Sequence, residues 1–436
     1  MELTTETLEH HWLPFTNNRA FKREPRLFVR ASGMYYWSQH GRKILDGCSG
    51  LFTSAAGHCR PEIAQAVSDQ LNTLDFSPSF MRSHPGAFEL ANAIAKLTPP
   101  GLQHIFFCSS GSEAIDSAIK IALAYHLARK EGQRTYLVSR ERAYHGVNIG
   151  GTALGGLVKN REVFGALMPG VLHMRHTLLP ANRMTRGMGA SGAELADDLL
   201  RFVQLVGEKR IAAVFVEPIA GSTGVIMPPR GYLERIREIC DRYGILLVFD
   251  EVICGFGRTG EPFAATSFGV TPDLITMAKA LTNGAQPMGA VAVRDSIYRT
   301  IVDEAPDGAI EFFHGYTYSA HPAACAAGLA TLRIYEQEQL FAKCRELSPY
   351  FQDAMFGLQD LGVVADVRGY GLLAGIEVKP GPVPGLRGSE IQTKLFDRGL
   401  HVKATGDVPI IAPAFIATRA DIDQLTALLR DVLSEY

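Results

Sequence analysis

The sequence has no surplus of either charge. Its 43 Lys and Arg stand against 45 Asp and Glu, a net charge of −2. That disfavours a nucleic-acid partner or an anionic membrane surface, both of which call for a basic face. Long hydrophobic runs are also absent, and no apolar stretch approaches the roughly 20 residues of a membrane span. The start, Met1-Glu-Leu-Thr-Thr-Glu6, is polar and acidic, unlike a secretory signal. Cysteine is sparse: seven residues, an odd number, scattered and without a C-x-x-C pair. Reduced structural thiols and a cytoplasmic location are therefore expected rather than a disulfide framework, and no metal-ligand set is assigned. There is neither an internal repeat nor a low-complexity tract.

What is present is apolar content in abundance. The chain has 436 residues, 47% of them hydrophobic, enough for a large core and two or three domains. Short apolar runs at 105–107, 136–138, 211–216, 245–249 and 274–277 read as buried strands. Between them, Ile115, Ala118, Ile119, Ala122 and Leu123 recur at helical spacing, as do Leu233, Ile236, Ile239 and Cys240. Gly244 is placed to end the second helix, and Ser191 with Glu194 reads as a capping box for another. This alternation predicts an α/β fold with a large, mostly parallel sheet. Residues 1–50 are rich in aromatics and turns, with a short strand at 27–29. After about residue 330 come a long polar helix, a strand at 376–378 and a terminal helix at 422–433. The expected organisation is a large domain over 56–330 and a small α+β domain built from 1–55 and 331–436.

Asp250-Glu-Val-Ile-Cys-Gly-Phe-Gly-Arg-Thr-Gly260 contains a G-x-G-x-x-G match after a strand. A dinucleotide site needs the third glycine to open a helix and an acid about 20 residues on at the end of the next strand. Neither follows here, since Asp273 comes sooner and precedes its strand. A better phosphate site lies upstream. Strand 105–107 runs through Ser109-Ser-Gly-Ser112 into a helix, where small residues expose backbone N–H groups and the helix dipole favours an anion. Ser110 and Ser112 add hydroxyls, although Ser112 acting only as a helix cap is an equally simple reading.

Two further residues give that loop a context. Asp250 ends one apolar strand and Lys279 follows another. A lysine there is costly unless it is used, because burial disfavours its charge. An acid, a lysine and a phosphate loop at strand ends are what pyridoxal phosphate requires. The lysine condenses with its aldehyde, and the acid pairs with its protonated ring nitrogen. Singly, each has an ordinary alternative, a salt bridge for the acid or a snorkelling lysine.

Together the motifs resemble the class III aminotransferases, pyridoxal-phosphate enzymes of fold type I, over nearly the whole chain. They are Ser109-Ser-Gly-Ser-Glu113, Tyr144-His-Gly146, Glu217-Pro218, Asp250-Glu-Val252, Lys279 with Asn283-Gly284, and His314-Gly-Tyr-Thr317. The segments "HWLPFTNNRAFK" and "HGYTYSAHPAACAAGLA" are similar to the ω-amino acid–pyruvate (β-alanine–pyruvate) subgroup. The resemblance implies that Lys279 is the Schiff-base lysine and proton shuttle and that Asp250 anchors the pyridine nitrogen. It implies that Gly111 and Ser112, with Ser110 a weaker candidate, hold the phosphate, that Tyr144 stacks on one ring face, and that Val252 packs the other. His145 and Glu217 lie in the same cofactor-binding motifs; Glu217 reads almost as well as a plain strand-end acid. Thr317 would reach the phosphate held by a neighbouring subunit, implying a homodimer or homotetramer with shared sites. An amine donor and a keto acid, pyruvate in this subgroup, are the implied substrates.

The pocket departs from the subgroup pattern. Lys403 stands where an arginine grips the substrate carboxylate, and an ammonium cannot make that bidentate fork. Phe52 replaces a common tryptophan, and Met81-Arg82 follows Phe80 in "SPSFMRSHP" where relatives carry other residues. Phe52, Phe80, Arg82 and Lys403 are thus the candidate substrate contacts. Competing readings are an aminomutase or decarboxylase of the same fold, a non-catalytic cofactor-binding partner protein, and an NAD enzyme resting on the 255–260 match alone.

Overall fold

The computed structural model describes residues 5–165 and 167–436, with the side chains of residues 5 and 6 not described. At its centre lies a seven-stranded sheet. In chain order its strands are β1 (Leu102–Cys108), β2 (Tyr136–Arg140), β3 (Val171–Met174), β4 (Ile211–Val216), β5 (Leu246–Asp250), β6 (Leu274–Met277) and β7 (Gly289–Arg294). Their spatial order is β1-β7-β6-β5-β4-β2-β3. From β6 to β3 every pairing is parallel, whereas β7 runs antiparallel to both its neighbours.

The apolar runs follow from burial on both faces. Along β4 and β5, Val214, Val216, Leu247 and Phe249 join one core. Their alternates Ala213, Phe215, Leu246 and Val248 join a second core on the other face. Helix Gly111–Ala128 packs Ile115, Ala118, Ile119 and Ala122 into that second core. Helix Tyr232–Tyr243 packs Leu233, Ile236 and Ile239 into the first. Gly244 ends the latter helix in the left-handed conformation (φ 64°), as its position predicts.

The Ser191–Glu194 capping box does not form. The turn begins at Gly192 (φ 110°) without a side-chain cap, and Ser191 pairs its backbone with the Asn182 amide instead. Tertiary partners for Ser191 thus prevail over the local capping pattern.

Two small sheets flank the centre. One joins Phe28–Ser32, Tyr35–Ser38 and Lys43–Asp46 from the start of the chain to Leu400–His401 near its end. The other joins Val364–Tyr370, Leu373–Val378, Val408–Ile411 and Lys403–Thr405. The parallel pairing of Leu45 with Leu400 and Asp46 with His401 knits the two chain ends together. All seven cysteines are free, and only Cys59 is exposed. Among the described residues, no helix is long and apolar enough to cross a membrane.

Candidate active site

A cavity of about 160 Å³ opens at the carboxyl ends of the parallel strands, where α/β sheets place their ligands. Asp250 is the last residue of β5, and Lys279 lies two residues beyond the end of neighbouring β6. The register that pairs Asp250 with Thr276 sets the two on one sheet edge. Gly111, Ser112, Tyr144, His145, Glu217 and Val252 line the same cavity.

Its floor is a buried polar chain. His145 Nδ1 is 2.8 Å from Asp250 Oδ2, and His145 Nε2 is 3.0 Å from Ser139 Oγ. The other carboxylate oxygen of Asp250 accepts from the Val252 N–H (3.2 Å) and the Thr276 hydroxyl (3.3 Å). Glu217 is buried beside this pair and accepts the Tyr144 N–H at 3.0 Å. Burial pushes its carboxyl up to about 7, and the nearby Asp250 charge adds to the rise. Burial likewise raises the Tyr144 phenol, with Asp250 and Glu217 contributing.

Lys279 opens a short 3-10 turn with a left-handed backbone (φ 47°) and lines the cavity. Its surroundings push it down to about 8: burial is the main cause, the Lys403 charge adds, and Asp250 opposes. The amine lies 5.6 Å from the centre of the Phe52 ring.

The phosphate loop divides its labour. Ser110 is the helix N-cap and accepts the Glu113 N–H at 3.1 Å, so its hydroxyl oxygen serves the helix. Gly111 and Ser112 are the first two helical residues, whose N–H groups have no carbonyl in the preceding turn. Ser112 Oγ accepts the Val147 N–H at 3.0 Å, which leaves its own O–H free to donate. Gly146 permits this approach, because a Cβ there would come within 2.4 Å of Ser112 Oγ. Glycine at 111 keeps the opposite wall open, since a Cβ would lie 3.0 Å from Val252 Cγ1. A buried amine, a fixed carboxylate and free N–H donors suit a phosphorylated, ring-nitrogen aldehyde, so the residues fit pyridoxal phosphate.

The remaining candidates lie outside this cavity. Phe52 is buried beside Lys279, and Lys403 donates to Thr405 Oγ1 (2.7 Å) and to the carbonyl of cavity residue Ser222 (3.4 Å). Phe80, Arg82 and Thr317 are exposed, and Arg82 donates to the Met81 carbonyl at 2.6 Å. The sequence reading missed Ser139, Thr276, Ile219 and Ser222. Ser139 and Thr276 are polar residues inside apolar strands, a signal that was available; the 219–222 loop carries none. It also missed Asp46, Cys48 and His401, whose ligand atoms lie within 4.8 Å of one another. Asp46 already accepts from the Cys48 and Gly50 N–H groups and pairs with His58.

The glycine loop is not a nucleotide turn. Gly255–Gly260 opens no helix, and the five-residue helix that follows begins at Ala264. Its first N–H groups, on Ala264 and Ala265, are taken by the Glu251 carboxylate at 2.5 and 2.8 Å. An anion has no place there.

Comparison with known proteins agrees with this geometry. The family "Aminotransferase class-III" matches residues 17–433. The chain is 53% identical to an omega-aminotransferase of Caulobacter vibrioides, over 98% of each chain. It is 48% identical to an omega-amino acid–pyruvate aminotransferase of Pseudomonas putida, over 98% of this chain and 96% of that one. Its fold superposes on a thermostable (S)-enantioselective omega-transaminase from Thermomicrobium roseum with a TM-score of 0.93 at 35% identity, covering 99% and 98% of the two chains. The architecture is that of the fold type I pyridoxal-phosphate transferases, and the chain belongs to the class III aminotransferases.

Proposed function

We propose that this enzyme binds pyridoxal phosphate in the cavity and moves an amino group from an ω-amino acid or primary amine to pyruvate. The observation that carries the reading is the convergence of the Lys279 amine, the Asp250 carboxylate and the free Gly111 and Ser112 N–H groups on one cavity. When bound, the cofactor supplies an aldehyde that condenses with amines and a ring that takes up an electron pair.

The residues do the rest. Gly111 and Ser112 hold the phosphate by N–H donors at a helix start. Asp250, fixed by His145, Thr276 and the Val252 N–H, presents a charge to the ring nitrogen without reorganising. Tyr144 and Val252 flank the ring. Burial brings the Lys279 amine down to about 8, so a far larger share of it is neutral near physiological pH than of an ordinary lysine, and that neutral form can take a proton from the donor's carbon as a general base. A base whose pKa lies near the working pH suits repeated proton transfer in both directions.

The resemblance to ω-amino acid–pyruvate aminotransferases supports the donor and acceptor classes, with Lys403 and Arg82 as the candidate carboxylate grips. Exposed Thr317, Phe80, Phe313 and Tyr318 support a second copy completing the site. The test is a donor screen: β-alanine, other ω-amino acids and simple primary amines with pyruvate, read as alanine formed. Product without any keto acid would instead mark a mutase or a decarboxylase. Absorbance unchanged by amine after cofactor loading would mark a non-catalytic protein.

A further inference from the structure

The Gly255–Gly260 loop brings one residue to a place the chemistry in the cavity leaves unused. Arg258 is 1% exposed, yet it forms no ion pair with a carboxylate among the described residues. An unpaired cation in the interior is costly, so its hydrogen bonds are the place to look for its use. They run to three distant segments. Nη1 donates to the carbonyls of Leu372 (3.2 Å) and Pro413 (2.6 Å), and Nη2 donates to Ser49 Oγ (3.3 Å). The guanidinium also lies 4.7 Å over the Phe415 ring. Glycine is needed to bring it there. Gly257 has φ 107°, and a Cβ on it would lie 2.4 Å from Phe341 and 2.8 Å from Phe415.

Ser49 is the informative partner. Its hydroxyl donates to the Ala412 carbonyl at 2.7 Å while accepting from Arg258. It opens a tight segment with left-handed backbone at Ser49 (φ 49°), Gly50 (φ 70°) and Phe52 (φ 63°). Such a run is strained for non-glycine residues and persists only where its surroundings hold it. Phe52, in turn, stands beside the Lys279 amine.

We propose that Arg258 is a positioning residue: through Ser49 it locks the Ser49–Phe52 turn and so sets the Phe52 wall beside Lys279, which determines the size of amine donor admitted. The last clause rests on the transaminase reading above. Lysine cannot replace the arginine, because a single ammonium cannot span Leu372, Pro413 and Ser49 in a planar fork.

Two variants test this. Ser49→Ala removes the hydroxyl that joins Arg258 to the Ala412 carbonyl, and Arg258→Lys keeps the charge and the Ser49–Ala412 bond but loses the fork. Hydrogen exchange on the purified protein should show the amides of 50–54 exchanging about tenfold faster or more in both, with those of β4 unchanged. In the loaded enzyme, the kcat/KM ratio for a bulky aryl amine against a small aliphatic amine should shift by about tenfold. That shift should vanish when Phe52→Ala is already present. Unaltered exchange in Arg258→Lys, which leaves the Ser49–Ala412 bond in place, would overturn the proposal. So would equal losses for both donors, or a selectivity shift that survives Phe52→Ala. Should Arg258→Lys fail to fold, Arg258→Gln, which also leaves the Ser49–Ala412 bond in place, takes its part. A wild-type enzyme that does not transaminate would sink the functional reading, while the exchange result would still decide whether the turn is locked from Arg258.

Discussion

His145 Nδ1 lies 2.8 Å from Asp250 Oδ2, with both side chains closed off from solvent. One ring nitrogen is committed to the carboxylate and the other to Ser139. The carboxylate that faces the cavity is therefore held in place before any ligand arrives, and this rigidity is what makes a buried charge an effective stabiliser. Asp250→Asn keeps the shape and removes the charge. We expect the amine half-reaction to slow by about 10²–10³-fold, the scale of losing one pre-placed electrostatic group. His145→Gln should slow it less, because Thr276 and the Val252 N–H still hold the acid. Stopped-flow half-reactions would show this order, and near-normal rates in Asp250→Asn would reject the role.

Lys279 should be the lysine that captures the cofactor, and borohydride reduction should fix the label on its peptide. Lys279→Ala should lose turnover by several orders of magnitude. In the cofactor-free protein the amine should titrate near 8. Its labelling by an amine reagent should rise as pH climbs through that value, since only the neutral amine reacts. Removing the Lys403 charge by Lys403→Met should move the midpoint upward, because that charge helps depress it.

Glu217 has a folded pKa of about 7 against an ordinary 4.5. Between those values the folded state holds a proton the unfolded chain has released, so stability falls as pH rises through that window. Glu217→Gln removes the buried ionisation while keeping an acceptor for the Tyr144 N–H. Its melting temperature relative to wild type should therefore be more favourable at pH 8 than at pH 5. A difference independent of pH would show that the carboxyl ionises freely.

Lys403 and Arg82 are the two candidate grips for the substrate carboxylate. A charge-assisted bond is worth about 1.5–3 kcal/mol, so losing the true grip should weaken pyruvate use roughly tenfold or more. Lys403→Ala and Arg82→Ala should be compared on pyruvate and on an uncharged amine. The residue that grips the carboxylate should impair pyruvate far more than the amine. Equal effects of Arg82→Ala on both substrates, or none, would return the role to Lys403 or to another residue.

Thr317 is exposed in the single chain. If a second copy brings it to the cofactor phosphate, Thr317→Ala should weaken cofactor retention on dilution, and isolated monomers should bind cofactor poorly. Sedimentation with activity measured across the boundary would check this. A fully active monomer would contradict the shared site.

Five of the seven central strands, and the two ionisable residues at their ends, were legible in the local pattern, whereas Val171–Met174 and Gly289–Arg294 were not. Ile211–Val216 and Leu274–Met277 were legible as strands to the residue, because strands buried on both faces leave unbroken apolar runs. Asp250 and Lys279 were legible because ionisable groups stand out at the ends of such runs. Gly244 was legible because only local backbone conformation is at stake in a helix stop.

Only the folded chain settles features whose partners lie beyond the reach of a local motif. Ser191 and Glu194 have the spacing of a cap, yet Asn182 claims Ser191. The glycines at 255–260 have the spacing of a nucleotide turn, yet Glu251 occupies the next helix start, and Arg258 is drawn into contact with residues 49, 372 and 413. The Asp250–His145 contact spans 105 positions. No local spacing encodes such a pairing, because it arises only when the parallel register brings separate strand ends to one edge of the sheet.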